Sequence, residues 1–232
     1  MRHEKTVLLK SMCNRYGHWA SVTALRERAK RLRRELEIDP AMGNLRPQEN
    51  IYADQDAPIM IGSKGKLKLK KARWGLPPFR ERDAKGRLER PRNNIRKTDF
   101  WLRSYPDVIL SAEHRCLVPF SAFAEPTRDS TWFTVADEEV AFFAGVWMEW
   151  SGERLKEQPG KSRRSREHDD WLLYAFLTTE ANSIVAPVHP DAMPVVLTED
   201  EDCLEWLDGG ESSMRLQRPL PDEQLRIVDG PR

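Results

Sequence analysis

The chain has 232 residues, 39% of them hydrophobic and 32% charged, and a formal net charge of +1. That length suits one large domain or two small ones with a real core, and the composition is that of a polar globular protein. No apolar run approaches the roughly 20 residues that span a bilayer, so no membrane role is expected. The three cysteines, Cys13, Cys116 and Cys203, are odd in number and far apart, which disfavours a disulfide framework or a metal cluster. A reducing cytoplasmic location, no metal and no other cofactor are therefore expected.

The charge is unevenly placed. Gly62 to Lys97 holds fourteen Lys/Arg and three Asp/Glu, whereas Glu199 to Arg232 holds ten acids and four bases. A concentrated basic segment inside a near-neutral chain points to a polyanion such as nucleic acid. A solvated surface with no partner is the competing explanation.

The first informative stretch is Met12-Cys13-Asn14-Arg15-Tyr16-Gly17. A methionine that starts a chain is trimmed when the next side chain is small. Trimming at Met12 leaves Cys13 with a free α-amine beside its thiol. That 1,2-aminothiol can condense with an aldehyde and close a thiazolidine ring. Residues 1–11 then form a leader or lie upstream of the true start. They carry Val7-Leu8-Leu9 but no full apolar core or small-residue cleavage site, which makes a poor secretion signal. The competing explanation is an ordinary internal, buried cysteine.

Ser21 to Ile38 has the spacing of a helix, with Val22, Leu25, Ala29, Leu32 and Leu36 on one stripe, Ser21 as N-cap and Asp39-Pro40 as the stop. Ala57–Ile61 predicts a short strand, and Lys66–Lys70 alternates lysine and leucine as a half-buried strand does. Trp74-Gly75-Leu76-Pro77-Pro78 is a turn, Phe79 to Arg92 a charged loop, and Phe100 to Tyr105 an amphipathic piece.

Arg115–Phe120, Trp132–Val135 and Val140–Trp147 predict strands, the last two joined as a hairpin by Asp137-Glu138-Glu139. Ser151 to Asp170 is poor in apolar residues and predicts a mobile surface insertion. Trp171–Thr178 is an apolar run suited to a central strand. A short helix over Ala181–Val188, a strand at Val195–Leu197, a capping box at Thr198–Glu201 opening a helix through Leu207, and a loose polar tail from Arg218 complete the pattern. Strands in the middle and helices at the ends predict an α+β fold: a single domain over 12–232, with a mixed or barrel-like sheet and peripheral helices.

Several polar residues stand in unusual places: Asn94 and Arg96 after the basic loop, Glu125 among Phe123, Ala124 and Pro126, and His189 between Pro187 and Pro190. Each alone is explained by turn chemistry or solvent exposure. Together with the hexapeptide they resemble the SRAP family, whose members shield abasic sites in DNA. The matching blocks are Met12–Tyr16, Trp74-Gly75-Leu76, Asn94-Ile95-Arg96, Cys116–Pro119 running to Phe123-Ala124-Glu125, and Val188–Val195, in the family's order.

The resemblance implies an SRAP-like fold and a thiazolidine crosslink between an N-terminal cysteine and the ring-opened aldehyde of an abasic site in single-stranded DNA. By matching position, Cys13 is the crosslinking residue and Asn94 orients the sugar. Glu125 and His189 move protons, Arg15 and Arg96 hold phosphates, and Trp74 lines the DNA surface. An α-amine with a pKa near ~8 and a thiol near ~8.5 are both partly usable at neutral pH. Departures from the family pattern are Asn14 where glycine is usual, Lys97-Thr98-Asp99 after Arg96, and His189-Pro190-Asp191-Ala192-Met193-Pro194 with one extra residue. The expected actor is a monomer, associated with the nucleoid when it works on DNA. Two other functions fit the residues: a cysteine (auto)peptidase that removes Met1–Met12, and a non-covalent nucleic-acid-binding module built on Lys64–Lys97.

Overall fold

In the computed structural model the described residues are 14–63, 65–80, 82–96, 103–125, 130–156 and 165–231. Cys13 and the segment before it lie outside them, as does half of the predicted Phe100–Tyr105 piece. Strand β1 (Arg15–His18) leads through helix α1 (Val22–Arg31) to β2 (Leu36–Ile38), β3 (Gln48–Tyr52), β4 (Asp56–Ser63), β5 (Lys66–Trp74) and β6 (Asn94–Ile95). After the short helix α2 (Pro106–Leu110) come β7 (Arg115–Phe120), β8 (Ala122–Glu125), β9 (Thr131–Val135), β10 (Ala141–Lys156) and β11 (Ser165–Thr179). Strands β12 (Met193–Pro194) and β13 (Val196–Leu197), helix α3 (Asp200–Asp208) and strand β14 (Leu225–Val228) follow.

Strands β7, β4, β5, β11 and β10 pair in a ring, so the sheet closes on itself. The β5–β11 contact is parallel and the other four are antiparallel, which makes the barrel mixed, as expected from the sequence. Closure removes edges that would otherwise offer unpaired backbone groups. A second, antiparallel sheet runs β14-β9-β8-β1-β3.

Successive side chains of a strand point to opposite faces, so the barrel strands feed two cores. Met60, Leu67, Leu69, Leu117 and Ala144 meet Leu25 and Ala29 of α1 and Trp206 of α3. Ile59, Ile61, Val118, Phe143 and Phe176 face the antiparallel sheet and pack with Tyr16, Phe123 and Phe133. Leu67 and Leu69 are buried while Lys68 between them is exposed, as the alternation predicts.

Some expectations are corrected. Helix α1 is capped by Ser21, whose side chain accepts from the Ala24 N–H at 3.1 Å, but it stops at Arg31. Arg33 turns to a φ of 54°, and Leu36–Ile38 pairs in parallel with Leu67–Leu69 of β5. Leucines at helical spacing served two elements because a buried strand needs the same side chains. Strands β9 and β10 form no hairpin: β9 joins β8 and β14, and β10 joins β7, β11 and β13. The acidic turn carries the chain from one sheet to the other.

The segment 151–170 is largely a continuation of the β10–β11 ladder, with Trp150 opposite Trp171, Gly152 opposite Asp169 and Arg154 opposite Glu167. Its low apolar content reflects a two-stranded arm that leaves the barrel, where few faces are covered. The predicted helix over 181–188 is absent; residues 183–188 form turns instead. The N-cap of α3 is Glu199, without a side-chain cap bond, because Thr198 Oγ1 donates to Gln224 Oε1 at 2.9 Å instead. The tail is held as β14, paired along Thr134, Phe133 and Trp132 of β9.

Candidate active site

Strand β8 ends at Glu125, whose side chain is completely buried. The β1–β8 ladder pairs Arg15 with Ala124, so Asn14, one residue earlier, is level with Glu125. Asn14 is the residue bonded to Cys13. The antiparallel register therefore brings the chain that emerges from Cys13 to the carboxylate end of β8.

His189 meets Glu125 from the turn between β11 and β12. Its Nδ1 lies 2.8 Å from the Ala192 carbonyl and 3.3 Å from Glu125 Oε2, and the ring is 2% exposed. A carbonyl can only accept, so Nδ1 is the nitrogen that donates to it. Nε2 is buried with no hydrogen-bond partner among the described residues. The turn that holds the ring is closed by backbone bonds to the Val185 carbonyl from Val188 and His189, each 2.9 Å.

Arg96 ties this turn to the barrel. Its guanidinium donates to the Thr179 carbonyl at 2.8 Å and to the Asp191 carbonyl, while Gln217 donates to the Arg96 carbonyl at 2.9 Å. Asn94, two residues earlier, is buried in β6 beside Phe176 of β11. The structure therefore brings Asn94, Arg96 and His189 to the end of β11, and Glu125 to His189. Arg15 stands apart on the outer face of the antiparallel sheet. Its Nε donates to Asn50 Oδ1 at 2.7 Å, and its guanidinium lies over the rings of Trp132 at 4.7 Å and Tyr52 at 5.6 Å.

Trp74 is not a surface residue. It is fully buried, stacks on Phe176 with ring centres 5.1 Å apart, meets Tyr16 edge-on at 5.2 Å, and donates Nε1 to the Asn93 carbonyl at 2.9 Å. A Trp whose N–H finds a carbonyl is well suited to burial, and here it fixes the strand that carries Asn94. Gly75 follows it at φ +126°, where an added Cβ would sit 2.5 Å from the Pro91 side chain, so only glycine allows that crossing. Beneath, the Tyr16 and Tyr174 hydroxyls are 2.5 Å apart.

Of the described cysteines, burial pushes the Cys116 thiol far up and the Cys203 thiol to about 12. Neither supplies a thiolate at neutral pH, since the thiolate is the nucleophile. No three His, Cys, Asp or Glu side chains among the described residues converge as metal ligands. Four of the fourteen bases of this run are in ion pairs among the described residues: Lys66 with Glu35 and Glu37, Arg73 with Asp54, Arg82 with Glu153 and Arg87 with Asp83. A local count of charges along the sequence therefore overstates the surface field.

A cavity of about 550 Å³ opens at Asn14 and Asn93, between the 78–93 loop and the β10–β11 arm, and nothing in the sequence pattern signalled it. Its floor is a buried ionic cluster. Arg73 Nε lies 2.9 Å and Arg154 Nε 3.6 Å from Asp54 Oδ1, and Arg154 Nη2 donates to the Gly75 carbonyl at 2.5 Å. Desolvation lowers the Arg154 guanidinium to about 10. The alternation of Trp150, Gly152 and Arg154 was the available signal for a strand here.

The chain matches the family described as SOS response associated peptidase (SRAP) over residues 12–229. It is 25% identical over 182 residues to the abasic site processing protein YoaM of Bacillus subtilis (strain 168), covering 74% of this chain and 70% of that one. It is also 25% identical over 173 residues to the abasic site processing protein YoqW of the same strain, covering 72% and 69%. A crystal structure of a protein from Bacteroides thetaiotaomicron shares its fold with a TM-score of 0.66, at 21% identity, over 94% of this chain and 92% of that one. A second, from Bordetella bronchiseptica, does so at 0.62 and 19% identity, over 94% and 100%.

Proposed function

The chain belongs to the SRAP family, and on that premise we propose that it processes abasic sites in single-stranded DNA by a covalent thiazolidine link through Cys13. The observation that carries the reading is the buried Glu125–His189 contact of 3.3 Å at the level of Asn14. It supports the reading because a carboxylate and an imidazole, groups able to give and take a proton, lie level with Asn14, the residue bonded to Cys13. The reading requires that Met12 be the start, or that the leader be removed, so that the Cys13 nitrogen is a primary amine. The protein is then a cytoplasmic monomer, found at the nucleoid when it acts.

The amine adds to the aldehyde carbon of the opened sugar to give a carbinolamine. Its hydroxyl leaves as water, taking a proton delivered by the Glu125–His189 pair; the nitrogen gives its own proton back to the pair, and an imine remains. The thiol then attacks the imine carbon; its proton passes through the same pair to the nitrogen as the C–S bond closes the ring. One water is released in total. Such positioned proton transfer contributes about 10²- to 10⁴-fold. Asn94 orients the sugar, and Arg96 with Arg15 contacts flanking phosphates through planar, forked guanidiniums. Trp74 acts from below, by fixing the Asn94 strand.

The test is an abasic oligonucleotide incubated with protein whose intact mass shows Cys13 at the N-terminus. A denaturant-stable adduct is expected, and it disappears with Cys13→Ser. Lack of an adduct from correctly trimmed protein rejects the reading. A peptidase activity, suggested by the family's description, has one specific place here, the removal of the residues before Cys13. Cys116 and Cys203 are fully buried, which supports Cys13 as the nucleophile for that step too.

A further inference from the structure

The cavity beside Asn14 takes no part in the chemistry above, yet it shares a rim with the proposed site through Asn14 and Asn93. Its walls are apolar and flat, with Pro78, Pro91, Trp150 and Leu155. Its charges are mixed: Arg90 and Arg154 stand against Asp54, Glu89 and Glu153. Asp54 is already paired with Arg73 and Arg154, and Glu153 with Arg82, so the cavity offers a phosphate or carboxylate ligand little free positive charge. A nucleobase, by contrast, is flat and uncharged and carries donors and acceptors around its edge. About 550 Å³ is ample for one nucleoside.

Building on the reading of this chain as a processor of abasic single strands, we propose that this cavity receives the base of one nucleotide next to the lesion. The strand turns at the missing base, and the neighbouring base leaves the stack to lie against Trp150 and Pro91, over the Asp54–Arg154 floor. The arm formed by β10 and β11 beyond the barrel supplies Trp150 and Arg154, so it acts as a specificity element. Its geometry is fixed from within. Trp171 Nε1 donates to the Gly152 carbonyl at 3.0 Å, and a Cβ at Gly152 would lie 2.2 Å from the Trp150 ring. Glu153 at the cavity edge is held by Arg82 at 2.6 Å, which anchors the arm to the 78–93 loop. Trp150 and Arg154 are positioning residues on this account; they touch a base and not the reacting aldehyde.

The experiment uses the full chain and an oligonucleotide with a non-reactive tetrahydrofuran lesion, flanked on one side or the other by 2-aminopurine. On binding, the fluorescence should change strongly with the probe on one side and little with it on the other. Ala53→Trp, which fills the cavity, and Trp150→Ala should each remove that one-sided change. In parallel, adduct formation is timed on true abasic oligonucleotides whose flanking base is kept or removed. Losing the base on the sensitive side should slow wild type about five- to tenfold, the scale of one base–aromatic stack, and Ala53→Trp less than twofold. Circular dichroism checks that both variants fold. Equal signals on both sides, or a one-sided signal that survives in Ala53→Trp and Trp150→Ala, would overturn the proposal. The fluorescence arm needs no crosslink. An adduct without flank dependence therefore rejects the base pocket alone, and a one-sided signal without adduct rejects the thiazolidine reading alone.

Discussion

The Asp54–Arg73–Arg154 cluster and the Glu125–His189 pair are both buried, but they differ in what their nitrogens can do with a proton. In the first, one carboxylate faces two guanidiniums; Arg73 donates to the Leu155 carbonyl and Arg154 to the Gly75 carbonyl, each at 2.5 Å, while Arg154 Nε and Nη1 are buried with no hydrogen-bond partner among the described residues. The Arg73 cation also lies 4.9 Å from the Trp171 ring and the Arg154 cation 5.8 Å from Trp150. These contacts fasten the β10–β11 arm and the Gly75 crossing to the β3–β4 turn. In the second, the imidazole has one nitrogen committed to the Ala192 carbonyl and the other buried without a partner among the described residues. A guanidinium keeps its protons and can only hold elements together, whereas an imidazole beside a carboxylate can exchange one.

That contrast can be broken at either end. The largest effect is expected from Asp54→Asn, which leaves two buried guanidiniums facing no charge. Loss of one partner from a buried ionic group costs about 3–5 kcal/mol, read as a lower urea midpoint. Next comes the other wholly buried histidine, His18, whose ring nitrogens have no hydrogen-bond partners among the described residues. Burial lowers its pKa from 6.5 to about 4. Below pH 6.5 the unfolded chain takes up this proton and the folded one resists it. Stability from this group is thus complete above pH 6.5 and falls as the pH drops to about 4, by roughly 3 kcal/mol in total. Urea titrations across that range should show the slope, and His18→Phe should flatten it.

Glu125→Gln keeps the shape of the buried pair and removes its ability to carry a proton. Adduct formation in single turnover should slow about 100-fold, near the lower end for general acid–base catalysis, with the melting temperature moved far less than by Asp54→Asn. If instead Glu125→Gln unfolds the protein and leaves the rate of the folded fraction unchanged, the pair is a fastener like the first cluster. The smallest effect is Ser21→Ala at the start of α1, about 1 kcal/mol by thermal melting, with adduct formation unaltered.

Much of the strand content was legible because its patterns are local. Arg115–Phe120 appears as read, Lys66–Lys70 sits inside a longer strand with its leucines inward, and Trp171–Thr178 is central to the barrel. Where the reading failed, a long-range partner changed the meaning of a residue. Leu36 belongs to a strand because Leu67 is across from it, and Trp74 is interior because Tyr16, Tyr174 and Phe176 surround it. Glu125 and His189 stood out by residue type in odd settings, yet their 3.3 Å contact joins positions 64 residues apart, a distance no periodicity encodes.

By itself the sequence determined the residue chemistry and the strand-rich middle: side-chain alternation is set by the backbone's period of two, and acid, base and thiol are properties of single residues. Only the tertiary structure decided that the barrel closes through a parallel β5–β11 contact, that Trp74 is a buried support, and that a cavity with an ionic floor lies beside Asn14. Each of these depends on which distant strands pair and in what register, and pairing is a cooperative outcome of burying two cores at once.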